Sequence, residues 1–147
     1  MPTAGELVLG EQLGELQEIA NSRQWEFERA FIIGMPARDG SRFWLLVDCG
    51  GYPALPPAWH WYNPKTRALD QRVDTPNGGG FFHSSGRICA PWNRLAYKKV
   101  DPEGPHDDWD LASWMSNPNT GKCTTLAAMA LRIFVEMNSE RYQGRLG

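Results

Sequence analysis

The spacing of hydrophobic and polar positions changes period along this chain, and each change predicts an element. From about Glu6 to Ser22, Leu9, Leu13, Leu16 and Ala20 recur at helical spacing, while Glu11, Glu15 and Glu18 fall elsewhere on the surface. Gly10 and Gly14 each weaken this helix by about 1 kcal/mol relative to Ala, so it needs docking to persist. The period then shortens. Trp25, Phe27, Phe31 and Ile33 are interspersed with Glu26, Glu28 and Ala30, which predicts a half-buried strand ended by Pro36 and a turn at Asp39-Gly40. Phe43, Leu45, Val47 and Cys49 line one face of a second strand, with Trp44 and Leu46 on the other and Gly50-Gly51 closing it. A third, Ala58 to Tyr62, stops at Asn63-Pro64. Three strands joined by short turns predict an antiparallel meander, with the helix covering one face.

From Lys65 to about Lys122 the periodicity fades. Pro76, Gly78-Gly79-Gly80, Gly86, Pro91, Pro102, Gly104-Pro105, Pro118 and Gly121 make this a long loop, with a short helix near Asp108 to Met115 at most. Loops of that length in a compact domain usually carry function. Thr124 to about Asn138 is again helical, with Leu126, Ala130, Ile133, Phe134 and Met137 in one stripe and Thr124 or Thr125 as cap. No internal repeat and no linker is visible, so residues 1–147 read as a single α+β domain.

Composition narrows the function classes. The 147 residues carry 15 Lys+Arg against 17 Asp+Glu and are 41% apolar and 22% charged, ordinary globular usage that argues against disorder and coiled coil. A chain with net charge -2 lacks the broad positive field of nucleic-acid or anionic-membrane binding. There is no apolar run of the roughly 20 residues that span a bilayer. The first residues lack a basic and an apolar signal region, which points to the cytoplasm. Cys49, Cys89 and Cys123 are odd in number and widely spaced, which suits a reducing compartment better than a disulfide framework.

Cys89 sits in the middle of the long loop, in His83-Ser84-Ser85-Gly86-Arg87-Ile88-Cys89-Ala90-Pro91-Trp92. A cysteine nucleophile needs a partly exposed thiol and neighbours that favour the thiolate. Arg87 offers positive charge, Gly86 close backbone approach, and Ile88 an anchor into the core; the competing reading is a small buried hydrophobe. Cys49 shares a strand face with core residues, and Cys123 reads as a helix-start residue. His60 lies in the third strand and is expected to point to solvent, and His106 lies in an acidic stretch. Metal-ligand spacing is absent, and Gly78-Gly79-Gly80 lacks the Gly-Lys-Ser/Thr ending of a phosphate loop, so no metal or cofactor is expected.

Two motifs go further. Tyr52-Pro53-Ala54-Leu55-Pro56-Pro57 resembles the tyrosine-proline-x-x-proline-proline signature of ubiquitin-conjugating enzymes, and Ser85-Gly86-Arg87-Ile88-Cys89 resembles that family's catalytic cysteine segment. The final helix, with Thr125-Leu126 near its start, is similar to the helix that follows the active site, so the resemblance runs from the opening helix to about Met137. Successive prolines fix φ and hold their predecessors extended, a rigid path that would brace the cysteine loop.

The resemblance implies a ubiquitin-conjugating-enzyme-like fold. It implies that Cys89 accepts the C-terminal carboxyl of a ubiquitin-like protein from an activating enzyme, holds it as a thioester and passes it to an amine on a target protein. Glu11, Glu15 and Glu18 would then be candidate contacts of the activating enzyme. The family's oxyanion donor is the asparagine of a histidine-proline-asparagine triplet, and this chain has Phe81 at that distance before Cys89. The nearest equivalents are Asn77, in Thr75-Pro76-Asn77, and His83, which is preferred because the triple glycine leaves Asn77 poorly fixed. Two other departures stand out. The segment Asn93 to Lys122 is longer than usual, and the chain ends soon after Met137, without the family's two last helices. Compact proteins of this kind resemble those encoded in bacteria beside activating-enzyme-like and ubiquitin-like partners in antiviral defence. The alternatives are an inactive module that binds ubiquitin-like proteins and a thiol hydrolase using Cys89 with His83 or His106 as base.

Overall fold

A computed structural model describes residues 3–29, 31–78, 80–82, 87–97 and 110–147. Helix α1 spans Ala4–Ser22. Its start is set by a capping box, in which Thr3 Oγ1 accepts the Glu6 N–H at 3.1 Å and Glu6 Oε2 accepts the Thr3 N–H at 3.2 Å. Only Leu16 and Ala20 are fully buried, so docking rather than propensity holds a helix that contains two glycines.

Strands β1 (Glu26–Arg29), β2 (Ile32–Pro36), β3 (Arg42–Asp48) and β4 (Ala58–Tyr62) form an antiparallel sheet in sequence order. The single strand expected from Trp25 to Ile33 is two strands. The register shifts between Phe27 and Arg29, and Phe31 takes a φ of 78°, so the backbone reverses where the periodicity suggested continuation. The next hairpin turns at Gly40, with a φ of 87° that favours glycine, while Asp39 Oδ1 accepts the Ser41 N–H at 3.0 Å.

The register sorts the two faces. Ile33, Leu45 and Trp61 are cross-strand neighbours on the inner face, flanked by the pairs Met35 with Phe43 and Val47 with Trp59. All join one core with Leu16 and Ala20 of α1 and with Leu126, Met129, Ala130, Ile133 and Met137 of a C-terminal helix. On the outer face Gly34, Trp44 and Tyr62 form one row. A Cβ at Gly34 would lie 2.9 Å from the Trp44 ring, so glycine is what lets the indole lie across β2. Strand β4 is buried along its whole length because the chain folds back over it: Tyr62 bridges to Leu69, and Asp70 takes the His60 ring and the Trp61 N–H.

The long segment is more structured than its composition suggests. Strand β5 (Pro76–Gly78) is followed by a one-turn 3₁₀ helix at Pro91–Asn93, a short α2 (Arg94–Tyr97), and 3₁₀ turns at Trp114–Ser116 and Pro118–Thr120. Of the helix expected near Asp108 to Met115, residues 108 and 109 lie outside the described residues, and the described part shows only the Trp114–Ser116 turn. Helix α3 spans Leu126–Met137, with Thr125 as N-cap accepting the Ala128 N–H at 3.1 Å. The chain then forms β6 (Tyr142–Arg145), which pairs antiparallel with β5. The fold is α+β: an N-terminal helix, a four-stranded antiparallel sheet, a C-terminal helix and a small second sheet. No helix among the described residues is long and apolar enough to cross a membrane.

Candidate functional site

Ile88 is fully buried and bridges to Phe82, which fixes the chain just before Cys89. The Cys89 N–H donates to the Phe81 carbonyl at 2.8 Å. Asn93 secures the same segment from within the core. Its Oδ1 accepts the Trp59 N–H at 2.7 Å, and its Nδ2 donates to the Ile88 carbonyl at 3.1 Å, both fully buried. The residue next to the cysteine is therefore tied to β4 by one side chain.

Cys89 itself is half-buried and lines a cavity of about 310 Å³. Phe81 and the Ala90-Pro91-Trp92 turn form part of the wall, Asn119 and Thr120 another part, and Cys123 and Arg132 bring in the approach to α3 and the helix itself. The Arg132 guanidinium lies over the Phe81 ring, 5.3 Å from its centroid, and Arg132 Nη2 is 2.7 Å from Glu136 Oε1 one turn along α3. Glu136 is 3% exposed and also meets Arg141 at 3.3 Å, so the carboxylate holding Arg132 is itself buried and paired. Burial raises the Cys123 thiol above its ordinary value, opposed by the charge of Arg132.

The proline motif reaches this cavity through Trp114. Tyr52 is buried, and its hydroxyl meets Gln12 Oε1 and the Thr124 carbonyl at 3.2 Å; Gln12 Oε1 also accepts the Leu126 N–H at 3.0 Å. Burial pushes the Tyr52 hydroxyl up to about 12. The Pro53 carbonyl accepts the Trp114 indole N–H at 3.0 Å, and the Trp114 carbonyl accepts the Thr120 hydroxyl at 2.6 Å. Pro56 and Pro57 are buried as the chain enters β4. The motif thus braces the wall containing Asn119 and Thr120.

Other expected residues fall elsewhere. Asn77 lies in β5, which pairs with β6, so its backbone is fixed rather than loose, and it does not line the Cys89 cavity. A Cβ at Gly78 would sit 2.8 Å from the Arg141 carbonyl, so the first of the three glycines serves strand packing. His83 and His106 lie outside the described residues. Glu11, Glu15 and Glu18 are exposed on α1. His60 does not point to solvent: it is 5% exposed, with Nδ1 2.8 Å from Asp70 Oδ2. Arg87 Nη1 contacts the same carboxylate oxygen and lies 3.3 Å from His60 Nδ1, so its charge is engaged at Asp70. Arg132, Asn93 and the shared cavity of Cys89 and Cys123 were not anticipated from the sequence.

A larger cavity, about 580 Å³, opens between α1 and the sheet and is lined by Leu9, Phe31, Val47 and Cys49 among others. Burial, with Asp48 adding to it, pushes the Cys49 thiol up to about 12. A thiol held that way stays protonated at neutral pH, so size alone does not make this cavity the reactive one. Among the described residues no group of three or more His, Cys, Asp or Glu is placed to hold a metal ion. No protein-family model, curated protein or solved structure matches the chain.

Proposed function

We propose that this chain is a conjugating enzyme for a ubiquitin-like protein, with a ubiquitin-conjugating-enzyme-like fold and Cys89 as thioester carrier. The observation that carries the reading is the placement of Cys89: a half-buried thiol beside a cavity, on a segment held by Asn93 and Phe81. A carrier needs its sulfur reachable by two partners in turn and its backbone fixed enough to present the acyl group in one direction. The order of helix, meander, cysteine segment and helix agrees with the resemblance of the two sequence motifs. Its partners are a ubiquitin-like protein, an activating enzyme and a target amine. Three cysteines that form no disulfide suit a reducing compartment such as the cytoplasm.

The test is incubation with a ubiquitin-like protein, its activating enzyme and ATP, followed by a non-reducing gel. The expected product is a thiol-sensitive adduct that is lost in Cys89→Ala and becomes a thiol-resistant ester in Cys89→Ser. An adduct unchanged in Cys89→Ala but absent in Cys123→Ala would move the carrier to the other thiol of the cavity. A second reading, an inactive module that binds the ubiquitin-like protein, is favoured by Phe81 standing in place of the family's asparagine. It predicts equal binding by wild type and Cys89→Ala, with no adduct in either.

A further inference from the structure

We propose that Arg132 of α3 is the oxyanion-stabilising residue for acyl transfer at Cys89, a role that rests on the carrier reading above. When an amine attacks a thioester, a C–N bond forms and the carbonyl oxygen becomes an oxyanion. Collapse of that intermediate breaks the C–S bond, releases the Cys89 thiolate and yields an amide, the amine proton passing to water. The group that speeds this step is a donor already in place where the oxygen charge develops.

Three observations single out Arg132. It shares the cavity with Cys89. Its guanidinium is fixed on two sides, by Glu136 Oε1 at 2.7 Å and by the face of Phe81. Phe81 also accepts the Cys89 N–H through its carbonyl, so one residue places both the cation and the thiol. Phe81 occupies the position at which the resembling family has its asparagine, and here it supports a donor from another element. A guanidinium has five N–H donors, so an ion pair with Glu136 leaves others to meet an oxyanion. Its side chain is 49% exposed, which leaves room for an incoming acyl group. Asn119 brings the one side-chain amide among the residues lining the cavity, but the bond fixing it is made by its backbone N–H, to Asn117 Oδ1 at 2.9 Å.

The experiment uses p-nitrophenyl acetate as acyl donor and iodoacetamide as control on the full chain, with site occupancy read by mass spectrometry. Acetylation of Cys89 passes through an oxyanion; alkylation by iodoacetamide does not. Arg132→Gln is expected to lower the ratio of acetylation to alkylation at Cys89 about 100-fold, at the lower end for loss of one oxyanion donor. Discharge of the acetyl group to free lysine should slow in parallel. Arg132→Lys should recover part of the loss, and circular dichroism should match wild type. An unchanged ratio in Arg132→Gln overturns the assignment and leaves the carrier reading standing, as does a loss confined to Asn119→Ala. A wild-type protein that takes no acetyl group at Cys89 overturns both.

Discussion

Replacing Asn93 with Ala removes a side chain that serves two buried backbone groups at once. The Trp59 N–H loses its acceptor at 2.7 Å and the Ile88 carbonyl its donor at 3.1 Å, in a place with no exposure to water. A buried group left without a partner costs about 1–3 kcal/mol, the orphaned N–H more than a carbonyl with a second lone pair. The small void left by the amide adds to this, so the expected loss is about 3 kcal/mol, a large share of the 5–15 kcal/mol typical of a domain. Urea unfolding followed by tryptophan fluorescence would show a lower midpoint with an unchanged slope.

Asn93→Asp sharpens the reasoning, because it keeps the acceptor for Trp59 and loses the donor to Ile88. A carboxylate facing the Ile88 carbonyl is repulsive, and protonating it restores a donor. This variant should therefore recover part of its stability on mild acidification, relative to wild type measured at the same pH, whereas Asn93→Ala should not. If Asn93→Ala shifts stability by less than about 0.5 kcal/mol, the two hydrogen bonds do not hold the cysteine segment to β4 and the account of the site fails.

Three other outcomes follow from the geometry. Gly34→Ala would force the Trp44 ring off β2, costing about 1–3 kcal/mol with a shift in tryptophan emission; an unchanged spectrum and midpoint would contradict the close approach. Asp70→Ala strips Arg87 and His60 of their shared carboxylate and Trp61 of an acceptor, so about 3–5 kcal/mol should be lost in the same assay. The Cys49 thiol and Tyr52 hydroxyl, raised by burial from 9.0 and 10.0 to about 12, hold their protons more tightly folded than unfolded. Their contribution is full below about pH 9 and is lost as pH rises to about 12, so urea midpoints should fall over that window, and less steeply in Cys49→Ala.

Helices α1 and α3 and the antiparallel meander were legible because their core-facing residues leave a period in the sequence. What was not legible came from breaks in period. Trp25, Phe27, Phe31 and Ile33 would all fall on one face of a continuous strand, and Arg29, a charged residue at the same face position, was the one local sign against continuation before the reversal at Phe31. Strand β6 has the sequence Tyr-Gln-Gly-Arg, too short and polar to announce itself, and it forms only because β5 offers a partner distant in the chain. Full burial of β4 likewise depends on the Asn63–Asp70 segment folding back over it, which periodicity does not encode.

The same distinction separates the thiol from its supporting charge. Arg87 lies two residues before Cys89 and was the natural source of positive charge by sequence distance, yet Asp70 engages it in the network with His60. Arg87 is not among the residues that line the cavity Cys89 shares with Arg132. Arg132 lies 43 positions beyond Cys89 on the exposed side of an amphipathic helix, where an arginine looks like ordinary solvated surface. Only the packing of α3 beside the 81–92 segment gives it a place at the cavity, above an aromatic ring and restrained by a buried glutamate. A charge near in sequence can thus be spent on structure while a distant one is left at the site, which is why Cys89 could be named from its motif and Arg132 could not.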